Sequence, residues 1–182
     1  MSELFKPVSA MVIITVVAAL LLGYVYAITL EPIAAQRAGT EAKAIGAVFD
    51  AADDVSQELP IPEGSPVSRA LQVYGKGTLL GYVVFTSPDG YSGAVDIIVG
   101  IDVDGAVEGV RILQHSETPG LGANASDPAF IDQYKGKSGD LKITKAAPGD
   151  NEIQAVTSAT ITSAAVTKGV NDALNFFKQS IR

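Results

Sequence analysis

Near the C-terminal end, Val156 to Ser163 reads VTSATITS, eight residues that carry five hydroxyls and no charge. The cluster lies just before an amphipathic run, so Thr162 or Ser163 is placed to cap a helix, its side-chain oxygen accepting from a first-turn N–H. A helix start also presents unpaired N–H groups and the positive end of the helix dipole, which together suit a phosphate. The short side chains of Ser158 and Ala159 would let such a group come close. Capping accounts for one or two of the hydroxyls, so both readings stay open at this point.

A second stretch, HSETPGLGAN at His115 to Asn124, follows an apolar run and holds two glycines, a proline and a single acidic side chain. It reads as a loop able to bring backbone close to a ligand, or as an ordinary surface connection. It lacks the Gly-Lys-Ser/Thr ending of a phosphate-binding P-loop, and PGLG opens no helix of a dinucleotide-binding unit. His115 and Glu117 invite an acid–base role, but no serine stands in a nucleophile-elbow context, and His115 reads as a hydrogen-bonded residue at a strand end. DVDGAVEG, at Asp102 to Gly109, lacks the carboxylate spacing and closing Glu of a calcium loop and reads as a solvent-facing turn. No catalytic or metal-ligating residue is assigned.

The elements that must position these loops follow from hydropathy. Pro7 to Leu30 contains no charged residue, which is long enough to cross a bilayer core of roughly 30 Å. It reads as a retained anchor, since the run exceeds a signal peptide's apolar region and lacks a small-x-small cleavage site. Lys6, Glu3, Arg37 and Lys43 do not decide its orientation. The formal net charge of -7, with scattered Lys and Arg, argues against a nucleic-acid partner. The absence of cysteine excludes disulfides, cysteine-ligated iron–sulfur clusters and thiolate zinc, and one histidine leaves no polyhistidine centre. Any redox work therefore falls to an organic cofactor.

Beyond Leu30, helical spacing of Ile33, Ala34, Ala38, Ala42, Ile45 and Phe49 predicts a helix continuing through EPIAAQRAGTEAKAIGAVFDAADDV, up to the proline-rich ELPIPEGSPVS. From Ala70 the period becomes strand-like, in ALQVYGKGTLLGYVVFTS, AVDIIVGIDVDGAVEGVRILQ and weakly DLKITKA. With a hairpin at Asp104-Gly105 and a turn in SPDGYSG, this predicts a meander of about four antiparallel strands. DPAFIDQYKGK predicts a short helix capped by Asp127, opened by Pro128 and ended by Gly136. The last helix is expected from about Ser163 to Lys178, with Val166, Val170, Ala173, Leu174 and Phe177 as its apolar stripe. The fold class is α+β, with an anchor at 1–30, a connecting helix and Pro-rich segment at 31–66, and one domain at 67–182 in which helices flank an antiparallel sheet.

Three motifs together resemble a known family. TSAT, with Gln154 upstream and ITS and a helix downstream, is similar to the flavinylation motif shared by the G subunits of Rnf electron-transport complexes and the C subunits of Na+-translocating NADH:quinone reductases. That motif is Asp-x-x-Ser/Thr-Gly-Ala-Thr, and its last Thr is esterified to the phosphate of FMN by a flavin transferase that uses FAD. HSETPGLGAN resembles the family's His-x-Glu-Thr-Pro-Gly-Leu-Gly loop, and GYSGAVDIIVGID its Gly-Tyr-x-Gly-Pro-Ile strand entry. The loop favours the Rnf branch. This chain departs from the motif at Gln154, where the family has Asp, and at Ser158, where it usually has Gly.

The resemblance implies an electron-relay subunit in an inner membrane, its domain on the extracytoplasmic side, working with other subunits of an ion-translocating ferredoxin:NAD oxidoreductase. It implies FMN held covalently at Thr160, flanked by Thr157, Ser158 and Ala159, with Glu117, Thr118, Gly120 and Leu121 beside the isoalloxazine and Lys137 as an anion partner. Two alternatives remain: the equivalent quinone-reductase subunit, or a membrane-anchored assembly module without cofactor, in which the hydroxyl cluster only caps a helix.

Overall fold

The computed structural model describes residues 2–50 and 52–181. They divide into two compact units, Met1–Glu41 and Ala42–Arg182. In the first, the chain is one helix, part of α1 (Ser2–Val48), which passes through Pro7 and Pro32 without a break. Its apolar side chains, among them Met11, Leu20, Leu22 and Ile28, are exposed. The helix is long and apolar enough to cross a membrane, Pro7 to Leu30 alone rising roughly 36 Å at about 1.5 Å per residue. Thr15 and Thr29 donate their hydroxyls to the carbonyls of Met11 and Val25 at 2.9 and 2.8 Å, so neither presents an unpaired donor on that apolar surface.

The second unit is an α+β domain around a five-stranded antiparallel sheet in the order β1-β2-β3-β4-β5: Asp54–Glu58, Val67–Gly75, Thr78–Thr86, Asp96–Asp102 and Val107–Gln114. Strand neighbours in space are neighbours in sequence. Side chains alternate between two cores. Val84 of β3 and Ile97, Val99 and Ile101 of β4 face the larger core under the C-terminal helices, while Val83, Phe85 and Ile98 face a smaller one with Ala44, Ile45, Val48 and Phe49. Covering both faces explains why β4 reads as an almost unbroken apolar run. The end of α1 can approach the sheet because its facing positions are glycines: a Cβ at Gly100 would stand 2.1 Å from Val48 Cγ1, and one at Gly81 3.0 Å from Phe49 Cζ.

Four sequence expectations need correction. The helix predicted through Val55 ends at Val48, because Phe49 packs on the sheet and the polar stretch after it pairs with the edge of β2, Asp54 opposite Tyr74, making a fifth strand. DLKITKA does not extend the meander: β6 (Lys142–Thr144) pairs in parallel with β7 (Glu152–Gln154) as a separate two-stranded sheet. At α2 (Pro128–Ile131), Asp127 is the N-cap but its side chain makes no capping bond; its backbone carbonyl accepts from Phe130 and Ile131 instead. A short 3-10 turn through Tyr134 then leads to Gly136 at φ +76°. Finally, α3 begins three residues earlier than predicted, spanning Thr160–Ser180 with Ala159 as N-cap, so neither Thr162 nor Ser163 caps it.

Candidate functional site

Three loops meet at the start of α3, and one carboxylate ties them together. β5 ends at Gln114 and leads into the 115–126 loop, where Glu117 turns inward and is only 6% exposed. Its Oε1 accepts the N–H groups of Tyr91 and Ser92, at 2.7 and 3.0 Å, from the turn between β3 and β4. Its Oε2 accepts the Thr162 hydroxyl at 3.0 Å. Two glycines make room: a Cβ at Gly90 would lie 2.4 Å from Oε1, and one at Gly122 would lie 2.3 Å from Oε2. Burial pushes the carboxyl's pKa up, but the bonds from Ser92, Thr162 and Tyr91, with His115 nearby, more than offset this and hold it below the usual range. His115 sits at the strand end, as expected, its Nδ1 accepting the Glu117 N–H at 3.2 Å.

Serine and threonine side chains build the turn before α3. Ser163 donates to the Ala159 carbonyl at 2.9 Å and accepts the Val156 N–H at 3.0 Å, closing Val156–Ala159 onto the helix. The Ala159 N–H bonds the Val156 carbonyl at 3.0 Å, and Ser158 takes a left-handed φ of +61°. That conformation favours glycine, which gives a physical reason for the Gly of the related motif at this position. The five hydroxyls thus separate. Thr162 and Ser163 are buried and bonded, while the exposed Thr157, Ser158 and Thr160 hydroxyls have no hydrogen-bond partner among the described residues, and of these only that of Thr160 is on the helix. At the first position of α3, that hydroxyl lies beside first-turn N–H groups that no helical carbonyl can reach.

A cavity of about 420 Å³ opens here, lined by Tyr91, Glu117, Thr118, Leu121, Gly122 and the 158–162 segment. A second hollow, about 530 Å³, shares Leu121 and Ser158 with it and continues past Gly120 and Thr157 to Gln154 and Asp127. Of the residues assigned from sequence, Glu117, Thr118, Leu121, Ser158, Ala159 and Thr160 line the first, whereas Gly120 and Thr157 line only the second. Lys137 lines neither: its ammonium is held by the carbonyls of Asp150 and Gly149. The sequence reading misses Tyr91, Gly122, Ile161 and Thr162 as lining residues. GYSG matches a strand entry, but its tyrosine stands in the turn that Glu117 pins, and no local pattern signals that bond. The site fits a flavin mononucleotide in kind: helix N–H groups for a phosphate, Thr118 as a polar group, and apolar side chains for a flat ring.

The sequence profile of the FMN-binding domain family matches residues 90–175, from the Gly90 turn into α3. Over 181 residues the chain is 30% identical to the G subunit of the ion-translocating oxidoreductase complex of Methanosarcina acetivorans, covering 96% of this chain and 94% of that one. This chain belongs to the family of Rnf-complex G subunits. It is also 42% identical over 135 residues to the G subunit of the Na(+)-translocating ferredoxin:NAD(+) oxidoreductase complex of Acetobacterium woodii, covering 70% of this chain and 61% of that protein. A counterpart in Clostridium ljungdahlii, from a complex named as proton-translocating, is 48% identical over 96 residues, 52% of either chain. Against these two family members, this chain's match spans about three fifths and one half of their length. The fold is shared with NqrC of Shewanella oneidensis, at a TM-score of 0.53 and 24% identity over 71% of this chain and 70% of that one.

Proposed function

We propose that this protein is a membrane-anchored electron-relay component of an ion-translocating ferredoxin:NAD oxidoreductase complex, carrying FMN through a phosphodiester on Thr160. The observation that carries the reading is the free Thr160 hydroxyl, at the first position of α3 and on the wall of a cavity where the Thr162 hydroxyl is already bonded. Attachment forms the Thr160 Oγ–phosphorus bond and breaks the phosphoanhydride of FAD, releasing AMP and the hydroxyl proton; a flavin transferase would supply the catalysis. The ester phosphate keeps one negative charge, and no basic side chain among the described residues lines the cavity. The first-turn N–H groups and helix dipole of α3 suffice to hold that charge.

Bound FMN supplies reversible electron uptake, and the protein's part is to orient it. Leu121 offers a ring-packing face, Thr118 a polar contact, and Glu117 keeps the two loops and the helix start at fixed separation. In this reading α1 anchors the protein in an inner membrane with the domain on the extracytoplasmic side, in company with other subunits of the complex.

Gln154 favours a second reading, an assembly module without cofactor. Its backbone is pinned by Gln133, which accepts the Gln154 N–H at 2.7 Å and donates to its carbonyl at 3.2 Å, leaving the exposed amide side chain where the related motif has Asp. Intact mass spectrometry of the full chain coexpressed with a flavin transferase separates the two. A gain of FMN less water, absent from Thr160→Ala, is the expected result. No gain in the wild type sinks the relay reading, and a gain that survives Thr160→Ala moves the attachment, with Thr157 the next candidate ahead of the buried Thr162.

A further inference from the structure

Among the described residues lining the two hollows at the start of α3, only Glu117 and Asp127 carry charge. Glu117 is buried, and its oxygens are taken by Tyr91, Ser92 and Thr162. Asp127 is exposed. It stands at the N-cap of α2, yet its carboxylate bonds no first-turn N–H and has no hydrogen-bond or ion-pair partner among the described residues. Its backbone carbonyl accepts from Phe130 and Ile131 instead, so the fold holds this carboxylate in place without using it. We propose that the second hollow is the docking surface for the flavin transferase, and that Asp127 is the anionic group the transferase reads there, in place of the Asp that the related motif carries where this chain has Gln154. This rests on the FMN reading given above, which requires a transferase.

Charge complementarity follows from the partner's task. An enzyme that cleaves the phosphoanhydride of FAD must hold two phosphates, whose negative charge calls for cationic groups around them. Those groups lie close to the acceptor hydroxyl at the moment of transfer, so the surface that meets the Thr160 face is electropositive. The segment VTSATITS offers it no charge, which leaves Asp127 as the one available carboxylate on that face. Placement agrees with this role. Asp127 and Gln154 line one hollow together with Thr157 and Ser158, and Ser158 also lines the cavity walled by Thr160. The Gln133 side chain fixes the Gln154 backbone on both sides, so position 154 stands at a defined place on the hollow. A carboxylate at either 127 or 154 therefore meets a partner seated over the same hollow, and the charge missing from the motif is recovered through the fold rather than along the chain.

The test measures transfer kinetics on the full-length chain, purified without flavin in detergent and mixed with flavin transferase and FAD, with covalent flavin followed by intact mass. Asp127→Asn keeps the shape of the side chain and breaks no bond, so the variant folds as the wild type does. Its kcat/KM for transfer should fall about tenfold, carried by KM, because an exposed charge at an interface acts on encounter more than on chemistry. The wild-type rate should drop as salt rises from about 50 to about 300 mM, and the Asp127→Asn rate should stay nearly flat. Gln154→Asp added to Asp127→Asn should restore both the rate and its salt dependence. Asp132→Asn removes an equally exposed charge outside the hollow and should behave as wild type. Wild-type kinetics from Asp127→Asn, an equal loss from Asp132→Asn, or a loss that Gln154→Asp does not restore each overturns the docking assignment while leaving the FMN reading standing. No mass gain in the wild type overturns both.

Discussion

Replacing Glu117 by alanine removes the acceptor for three donors at once, and the structure sets the scale of the loss. Hydrogen bonds to a charged group are worth about 1.5–3 kcal/mol each, while a buried donor left unpaired costs about 1–3 kcal/mol. The three donors are not equal. Tyr91 lies in an exposed turn, so water can replace part of what its N–H and that of Ser92 lose. The Thr162 hydroxyl is buried, and in the first turn of α3 it has no helical carbonyl behind it to turn to, so its loss is the largest of the three. A net destabilisation of about 2–4 kcal/mol follows for Glu117→Ala, and about 1 kcal/mol for Glu117→Gln, whose amide oxygen still accepts as a neutral group.

Urea unfolding of the full chain in detergent, followed by circular dichroism, measures both. The pH dependence tests the cause. The folded carboxyl titrates below its ordinary value of 4.5, so its stabilisation is fully present above that value and is lost as pH falls through the lower folded one. The gap between wild type and Glu117→Gln should therefore be constant from neutral pH down to about 5 and close as the solution becomes more acidic. A Glu117→Ala variant as stable as wild type at pH 7, or a gap that widens on acidification, would refute the view that this carboxylate fastens the loops.

Substitutions at two further positions probe the frame around the site. Ser158→Val places a β-branched residue at φ +61° on an exposed turn, and should cost about 1–2 kcal/mol in the same unfolding assay; Ser158→Gly should cost nothing or stabilise slightly. Gly100→Ala drives a methyl to 2.1 Å from Val48 Cγ1, so the end of α1 must shift off the sheet. A loss of about 1–3 kcal/mol is expected for such overpacking, read as a lower urea midpoint, with flavin loading unchanged because Gly100 faces the core opposite α3.

The parts of the fold that were legible in sequence are those where a local pattern and the tertiary demand agree. Short apolar runs from Ala70 to Gln114, alternating or, in β4, unbroken, marked four strands because each has apolar surface to bury, and Asp104-Gly105 marked its hairpin because Gly105 needs φ +93°. β1 was illegible: Asp54–Glu58 has no apolar alternation, and its stabilisation comes from backbone pairing with β2, which composition does not encode. The end of α1 was misjudged for a related reason, since Phe49 leaves the helical path for a glycine-floored surface assembled from β3 and β4.

At the site the same distinction holds. The hydroxyl cluster pointed to a segment that lines a cavity, but the division of labour within it depends on partners outside it. Ser163 folds the turn back on its own helix, Thr162 answers to a carboxylate 45 positions earlier, and Thr157, Ser158 and Thr160 are left without partners among the described residues. Sequence can propose capping or phosphate binding for such a cluster. Only the acceptors decide which hydroxyls remain available, and of the three that do, Thr157, Ser158 and Thr160, the last alone occupies the helix position where a bound anion would be stabilised without any basic residue.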